Sequence, residues 1–136
     1  MNENRVWSNR VIVAGSVFAG FGVAHLIDDF LHGVPAEFNL SNRAAQALGL
    51  AFFAALTGLA ALAGRGSRRS YLGFAIIGSL LALADVLKHL PEVLQPGPWR
   101  SGWASEVFSI GLIVSGLAVA VTSYLAWRNG GRDGER

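Results

Sequence analysis

Two pairs of an aspartate and a histidine recur in this sequence at an offset of 57 residues: Asp28 with His32, and Asp85 with His89. Residues four apart lie on the same face of a helix, so each pair can offer a carboxylate oxygen and an imidazole nitrogen to a common ion. Together the pairs form a two-histidine, two-carboxylate set that suits zinc, iron or manganese. The repeat therefore predicts a metal site, with zinc or iron as the bound ion.

Other ionisable residues extend these pairs into two helical stripes. The first stripe is His25, Asp28, Asp29 and His32, with the spacing i, i+3, i+4, i+7, and the second is Asp85, Lys88 and His89. We expect the six acids and histidines of the stripes to be the metal ligands. His25, Asp29 and Glu106 are candidates for a second ion or for an outer shell around the first. Lys88 is expected to neutralise excess acid or to bind an anionic headgroup.

The composition indicates where these stripes lie. Hydrophobic residues make up 52% of the chain and charged residues only 15%, whereas a soluble domain has about 25% charged residues. Four apolar segments, 11–31, 44–63, 71–90 and 107–127, are each long enough as a helix to cross a hydrocarbon layer of about 30 Å. The sequence therefore predicts an all-α, integral membrane four-helix bundle over residues 1–128, followed by a disordered cytoplasmic tail at 129–136.

The offset of the pairs indicates an internal duplication. Arg43 matches Arg100 at the same offset, and residues 57–60 match residues 115–118 at an offset of 58. We therefore expect a tandem repeat of a two-helix hairpin, with its two copies related by an axis along the membrane normal. On that geometry the first and third apolar segments face each other, and the two acid–histidine pairs converge.

The distribution of basic residues predicts the orientation. Eight arginines would lie on one side of the membrane (Arg5, Arg10, Arg65, Arg68, Arg69, Arg128, Arg132 and Arg136) and three basic residues on the other (Arg43, Lys88 and Arg100). Because cytoplasmic loops carry the excess of basic residues, both termini are expected in the cytoplasm. The acids and histidines of the membrane region then lie near the extracytoplasmic side, where we expect a pocket that binds a metal ion or a polar ligand.

An ion-pair lattice is an alternative interpretation of the same residues. Asp28 and Asp85 would pair with Arg43 and Arg100, and the polar cluster would only hold helices together in an accessory or oligomer-forming subunit. A further alternative is a metal-dependent membrane enzyme that acts on a lipid-like substrate, although no G-x-S-x-G or H-E-x-x-H motif is present. A complete proton path is not supported, because few polar residues continue through the cytoplasmic halves of the segments.

Several classes of protein are excluded or disfavoured. The chain contains no cysteine, which excludes disulfides and thiolate chemistry. The basic residues flank the apolar segments and do not form an aromatic–basic surface, so nucleic acid is not an expected partner. The expected partners are the lipid bilayer and either further copies of the chain or a larger membrane complex. Prolines, including Pro91, are expected to end the helices.

Overall fold

The fold is built from helices throughout the residues that the structure describes. This structure is a computed structural model, and it describes residues 3–94 and 102–129. The helices are α1 (Glu3–Leu31), α2 (Val34–Glu37), α3 (Asn42–Gly64), α4 (Arg68–Leu94) and α5 (Trp103–Asn129), and no strand occurs within these ranges. The prediction of an all-α chain with four long apolar helices is confirmed. Arg100 and residues 130–136, which include nearly all of the expected tail, lie outside the described residues.

Each long helix contains a stretch that is long and apolar enough to cross a membrane. The stretches are Asn4–Leu31, Asn42–Gly64, Arg68–Leu90 and Trp103–Asn129. They contain the four apolar segments and add flanking residues at their ends. Large apolar side chains also cover the outside of the bundle, among them Val13, Leu31, Leu50, Leu80, Val114 and Val121. Such extensive exposure of large apolar side chains is rare on soluble monomers and suits a surface that contacts lipid or other helices.

The four long helices are arranged so that α1 and α4 lie diagonally across the bundle. Helix α5 packs extensively against both α4 and α1, whereas α3 makes smaller contacts with the same two helices. The core between them is formed mainly by Val11, Phe18, Leu56, Ala63, Tyr71, Phe74, Leu112, Val119 and Ala126. Residues on the inner faces of α1 and α4 therefore point toward a common interior.

The contact between α4 and α5 is close because glycine allows the two backbones to approach. A Cβ added at Gly78 would lie 2.6 Å from the backbone oxygen of Gly116, and one added at Gly116 would lie 3.0 Å from the backbone oxygen of Gly78. Small residues are enriched at such helix contacts in membranes. This contact fixes the position of α4 relative to α5.

Polar contacts join the helices at the end of the bundle where the chain begins. The Ser8 hydroxyl donates a hydrogen bond to the Ala63 carbonyl at 2.6 Å, linking α1 to α3. Arg68 donates to the Trp127 carbonyl through Nε at 3.2 Å and Nη2 at 2.9 Å, linking α4 to α5. The Arg68 guanidinium also lies 5.5 Å from the centre of the Trp127 ring. These contacts satisfy carbonyls at helix ends, which have no partner within their own helix.

The connection between α1 and α3 folds back onto the bundle. Gly33 and Asn39 have positive φ angles of 72° and 55° on either side of α2, and Val34 and Pro35 of α2 are buried. Helix α3 begins after Ser41, whose hydroxyl accepts a hydrogen bond from the Ala44 amide at 3.2 Å. The connection therefore caps the space between α1 and α3.

The expectation that proline ends the third apolar helix is wrong, because α4 continues past Pro91 to Leu94. A proline removes one backbone hydrogen-bond donor and disfavours the helix interior. Pro91 lies in the last turn of α4, so the one backbone hydrogen bond that it removes is close to the end of the helix.

Candidate metal centre

Three buried side chains from two helices converge in the interior of the bundle. His25 lies on α1, and Asp85 and His89 lie one turn apart on α4. The Asp85 Oδ1 atom is 3.2 Å from His25 Nε2 and 3.4 Å from His89 Nε2. One potential ligand atom from each residue lies within 4.8 Å of those of the other two. We call these three residues the triad.

Aromatic packing between α1 and α4 sets the positions of these two helices along the axis of the bundle. The Phe74 ring of α4 packs onto Gly15 of α1, where an added Cβ would lie 3.0 Å from the ring. His25 follows Gly15 by ten residues and Asp85 follows Phe74 by eleven, so both lie about 15 Å beyond this contact. Because α1 and α4 run in the same direction, the contact places His25 and Asp85 at the same level.

Two of the three separations between ligand atoms in the triad match those around a zinc ion. A tetrahedral zinc ion with bonds of about 2.0–2.1 Å keeps its ligand atoms about 3.3 Å apart. The observed separations of 3.2 and 3.4 Å lie on either side of that distance. A set of two histidines and one carboxylate is also used by non-haem ferrous iron. Three protein ligands would leave a coordination position open on either ion.

Two polar atoms of the triad have no partner in the described part of the chain. His25 Nδ1 and Asp85 Oδ2 are both buried without a hydrogen bond there. Leaving buried polar atoms unsatisfied costs about 1–3 kcal/mol each. Buried atoms of this kind in a folded protein are explained by a bound ion or water molecule, by strain or by a functional role.

An ion pair lies beside the triad and links the same two helices. Lys88 Nζ lies 3.1 and 3.2 Å from the two carboxylate oxygens of Asp29. The Asp29 carboxylate is also 3.6 Å from His25 Nε2. Lys88 therefore places a positive charge beside an acid next to the triad, and its role in neutralising the site stays a prediction.

Ser109 also contacts the triad, although the pattern of ionisable residues in the sequence does not predict it. Its hydroxyl lies 3.1 Å from His89 Nε2, and its side chain is fully buried on α5. Ser105 is buried one turn earlier on the same helix. The available sequence signal for Ser109 was its spacing of four residues from Ser105 within an apolar helix. This signal is weak, because hydroxyls in membrane helices commonly bond their own backbone.

The other predicted site residues lie outside the triad. Asp28 and His32 form a separate pair on α1, with 3.4 Å between Asp28 Oδ1 and His32 Nδ1. Asp28 is buried, whereas His32 is exposed. His32 Nδ1 also lies 2.8 Å from the Asp28 backbone oxygen. The structure thus brings Asp85 and His89 together with His25. Asp28 and His32 lie outside this group, and their role as metal ligands stays a prediction.

The expected charged partners of the site lie at the surface where the structure describes them. Arg43 is exposed at the start of α3, and no ion pair within residues 3–94 and 102–129 includes it. Glu106 is exposed in the first turn of α5, where a negative charge is favoured by the helix dipole. These positions do not support Arg43 as a member of an ion-pair lattice.

A cleft of about 330 Å³ opens between α1, α2 and α3 next to the triad. Of the residues that line it, His25 and Asp29 are ionisable. The rest are apolar: Gly22, Leu26, Val34, Pro35, Phe38, Leu40, Ala45, Leu48, Gly49, Phe52, Phe53, Leu81 and Leu112. A wider groove of about 530 Å³ between α4 and α5 has no acid, lysine, arginine or histidine among its described lining residues. The cleft is therefore the cavity that connects to the triad.

Comparison with known proteins identifies no relative. No protein family, no curated protein and no solved structure matches this chain. The geometry of the site is therefore the basis for assigning a function.

Proposed function

We propose that this chain is an integral membrane protein that binds a divalent metal ion, zinc or ferrous iron, through His25, Asp85 and His89. The observation that carries this proposal is the convergence of two imidazoles and a carboxylate from diagonal helices at separations suited to a common ion. In this proposal both termini are cytoplasmic, and the metal lies in the extracytoplasmic half of the bundle.

The apolar surroundings support a bound cation. A carboxylate within an apolar helix bundle costs several kcal/mol unless it is paired or coordinated. Asp85 is 5% exposed and His89 is 5% exposed, so water satisfies little of either side chain. A divalent ion would offset the charge of Asp85 and accept lone pairs from both neutral imidazoles.

Elemental analysis of the purified chain tests this proposal. After equilibration with zinc, or with ferrous iron without oxygen, we expect stoichiometric metal in the wild type. His25→Ala, His89→Ala and Asp85→Asn should each weaken metal binding by more than the roughly 10–100-fold loss caused by removing a residue that supports a ligand. Cobalt substitution should give the visible absorption of a tetrahedral ion, which reports on the site independently of stability.

His32→Ala is the matched control, because His32 lies on the same helix as His25 but outside the triad. It should retain the metal affinity of the wild type. Folded wild-type protein that binds no metal would overturn the proposal. An equal loss of metal in His32→Ala and His89→Ala would also overturn it, by placing the ligands in the two acid–histidine pairs.

A structural role for the polar cluster is the second candidate function, and the Asp29–Lys88 ion pair favours it. This pair joins α1 to α4 directly, with side chains that are 21% and 24% exposed. A cluster that only holds helices together suits an accessory or oligomer-forming subunit. In that case the metal analysis gives no bound ion, while changes at Asp29 or Lys88 destabilise the fold.

A further inference from the structure

We propose that the cleft between α1 and α3 binds the chain of a single fatty acid, whose carboxylate occupies the open coordination position of the metal. This inference rests on the proposed function and names the ligand of the same site. Its basis is the juxtaposition of an apolar cleft with a three-ligand metal centre through a shared residue, His25.

The size of the cleft suits one acyl chain. Its volume of about 330 Å³ lies at the lower end of the roughly 300–1,000 Å³ range of small-molecule sites. A water molecule occupies about 30 Å³ in the liquid, so the cleft has room for a chain of about ten groups of similar size.

The entrance of the cleft is apolar. Phe38, Leu40 and Leu48 line it and are respectively 61%, 37% and 59% exposed. In a bilayer these side chains would contact lipid, so a ligand would enter sideways from the membrane. Val34 and Pro35 of α2 are buried against the same cleft and close its end below the connection.

The charges of Asp85, of the ion pair beside the triad and of a divalent ion favour an anionic headgroup. Asp85 and Asp29 contribute two negative charges, Lys88 contributes one positive charge, and a divalent ion contributes two. With neutral imidazoles as ligands, this set has one net positive charge in an environment where charges interact strongly. A carboxylate that completes the coordination would neutralise that charge, whereas an ester or alcohol would not.

The position of the ionisable lining residues agrees with this arrangement. Asp29 lines the cleft, and its carboxylate lies 3.6 Å from His25 Nε2 and 3.1 Å from Lys88 Nζ. His25 Nε2 in turn lies 3.2 Å from Asp85. The polar end of the cleft is therefore where His25 connects it to the triad. A carboxylate bound at that end would place its acyl chain among the apolar residues of the cleft.

Tryptophan quenching by a brominated medium-chain fatty acid tests the inference. The full chain, with its native tryptophans replaced by phenylalanine, is placed in dioleoylphosphatidylcholine vesicles with Phe52→Trp as a reporter in the cleft. Val114→Trp, at an exposed position on α5, is the matched reporter for ordinary partition into lipid. Metal content is measured on the same samples.

With metal bound, we expect the brominated fatty acid to quench the Phe52→Trp reporter more effectively than its methyl ester. The concentration that gives half-maximal quenching should be at least tenfold lower for the acid. The Val114→Trp reporter should show no such preference. His89→Ala, which changes the metal centre but not the lining, should remove the preference for the acid. Gly22→Leu should remove quenching by both compounds, since a Cβ at Gly22 lies 3.7 Å from Phe53 and its larger side chain would enter the cleft.

The outcomes separate this inference from the proposed function. Bound metal with equal quenching by acid and ester would overturn the inference and leave the metal site intact. Equal quenching by brominated phosphatidylcholine at the same bromine density would also overturn it, because the cleft would then hold ordinary membrane lipid. Absence of metal from the samples would overturn the proposed function and, with it, the coordination of a carboxylate.

Discussion

The three histidines of this chain occupy different environments, although all lie on the polar stripes of their helices. His25 and His89 are buried, with ring centres 5.7 Å apart in an edge-to-face arrangement. His32 is exposed and directs Nδ1 toward the backbone of its own helix. A buried imidazole next to a carboxylate is a better metal ligand than one already bonded to backbone and open to water, because less water has to be displaced.

Ser109→Ala should raise zinc affinity by up to about tenfold, the equivalent of one hydrogen bond. The reason is that the Ser109 hydroxyl lies 3.1 Å from His89 Nε2, the nitrogen that would bind the ion, so in the wild type the hydroxyl competes with the metal for that nitrogen. The measurement is competition with a zinc chelator of known affinity. Ser105→Ala, one turn away on the same buried face, is the matched control. Equal affinities for the two variants would remove Ser109 from the site.

At the scale of helices, α4 and α5 form the most extensive contact of the bundle. Gly78 and Gly116 lie at its centre, and Gly111 accommodates the Phe21 ring of α1. By contrast, within the described residues no atom of another helix lies within 4 Å of the Cβ position of Gly58 on α3. The close contact of α5 with its neighbours supports the register of α4, and thus the position of Asp85 and His89.

Gly78→Ala should therefore destabilise the chain by about 1–3 kcal/mol, the usual cost of overpacking, because its Cβ would meet the Gly116 backbone at 2.6 Å. Gly58→Ala should be neutral or stabilising by up to about 1 kcal/mol, since alanine is the better helix former and the position is open. Reversible unfolding of both variants in detergent measures the difference. The expectation fails if Gly78→Ala is as stable as Gly58→Ala.

The two copies of the sequence repeat lie in unlike surroundings. Gly58 and Gly116 are aligned by the repeat, yet the first is exposed and the second is buried. The residue 57 positions after His25 is Ala82, which cannot act as a ligand. The triad thus includes a residue without a counterpart in the other copy. A duplicated origin stays a prediction, and any symmetry between the copies does not extend to the site.

At the scale of the molecule, the apolar exterior and the distribution of charge support a bundle that spans the membrane. The exposed apolar residues come from all four long helices, and arginines cluster where the chain enters α1, leaves α3 and enters α4. Association of copies in the membrane stays a prediction of the sequence.

Cysteine labelling should establish the orientation, because the chain has no cysteine of its own. Ala36→Cys lies on α2, and Ser67→Cys lies between α3 and α4. In intact cells a membrane-impermeant maleimide should label Ala36→Cys, whereas Ser67→Cys should react only after the membrane is opened, since the arginine-rich side stays in the cytoplasm. The reverse pattern would place the triad on the cytoplasmic side.

The sequence by itself determined the helical class, the four apolar helices and the level of the polar residues within them. These properties follow from composition and from distance along a helix, which do not depend on how helices pack. The stripes of α1 and α4 were identified for the same reason, because spacing alone decides which side chains share a face.

Only the tertiary structure decided that His25, and not His32, meets Asp85 and His89, and that Ser109 joins them. Spacing leaves the rotation of each helix about its axis undetermined. That rotation is set by contacts between helices, such as the Phe74 ring on Gly15 and Gly78 against Gly116. These contacts involve residues far apart in the chain, and because packing is close a given face fits its neighbour in few ways. Which ionisable residue of a stripe reaches the triad therefore depends on the apolar residues that pack between the helices.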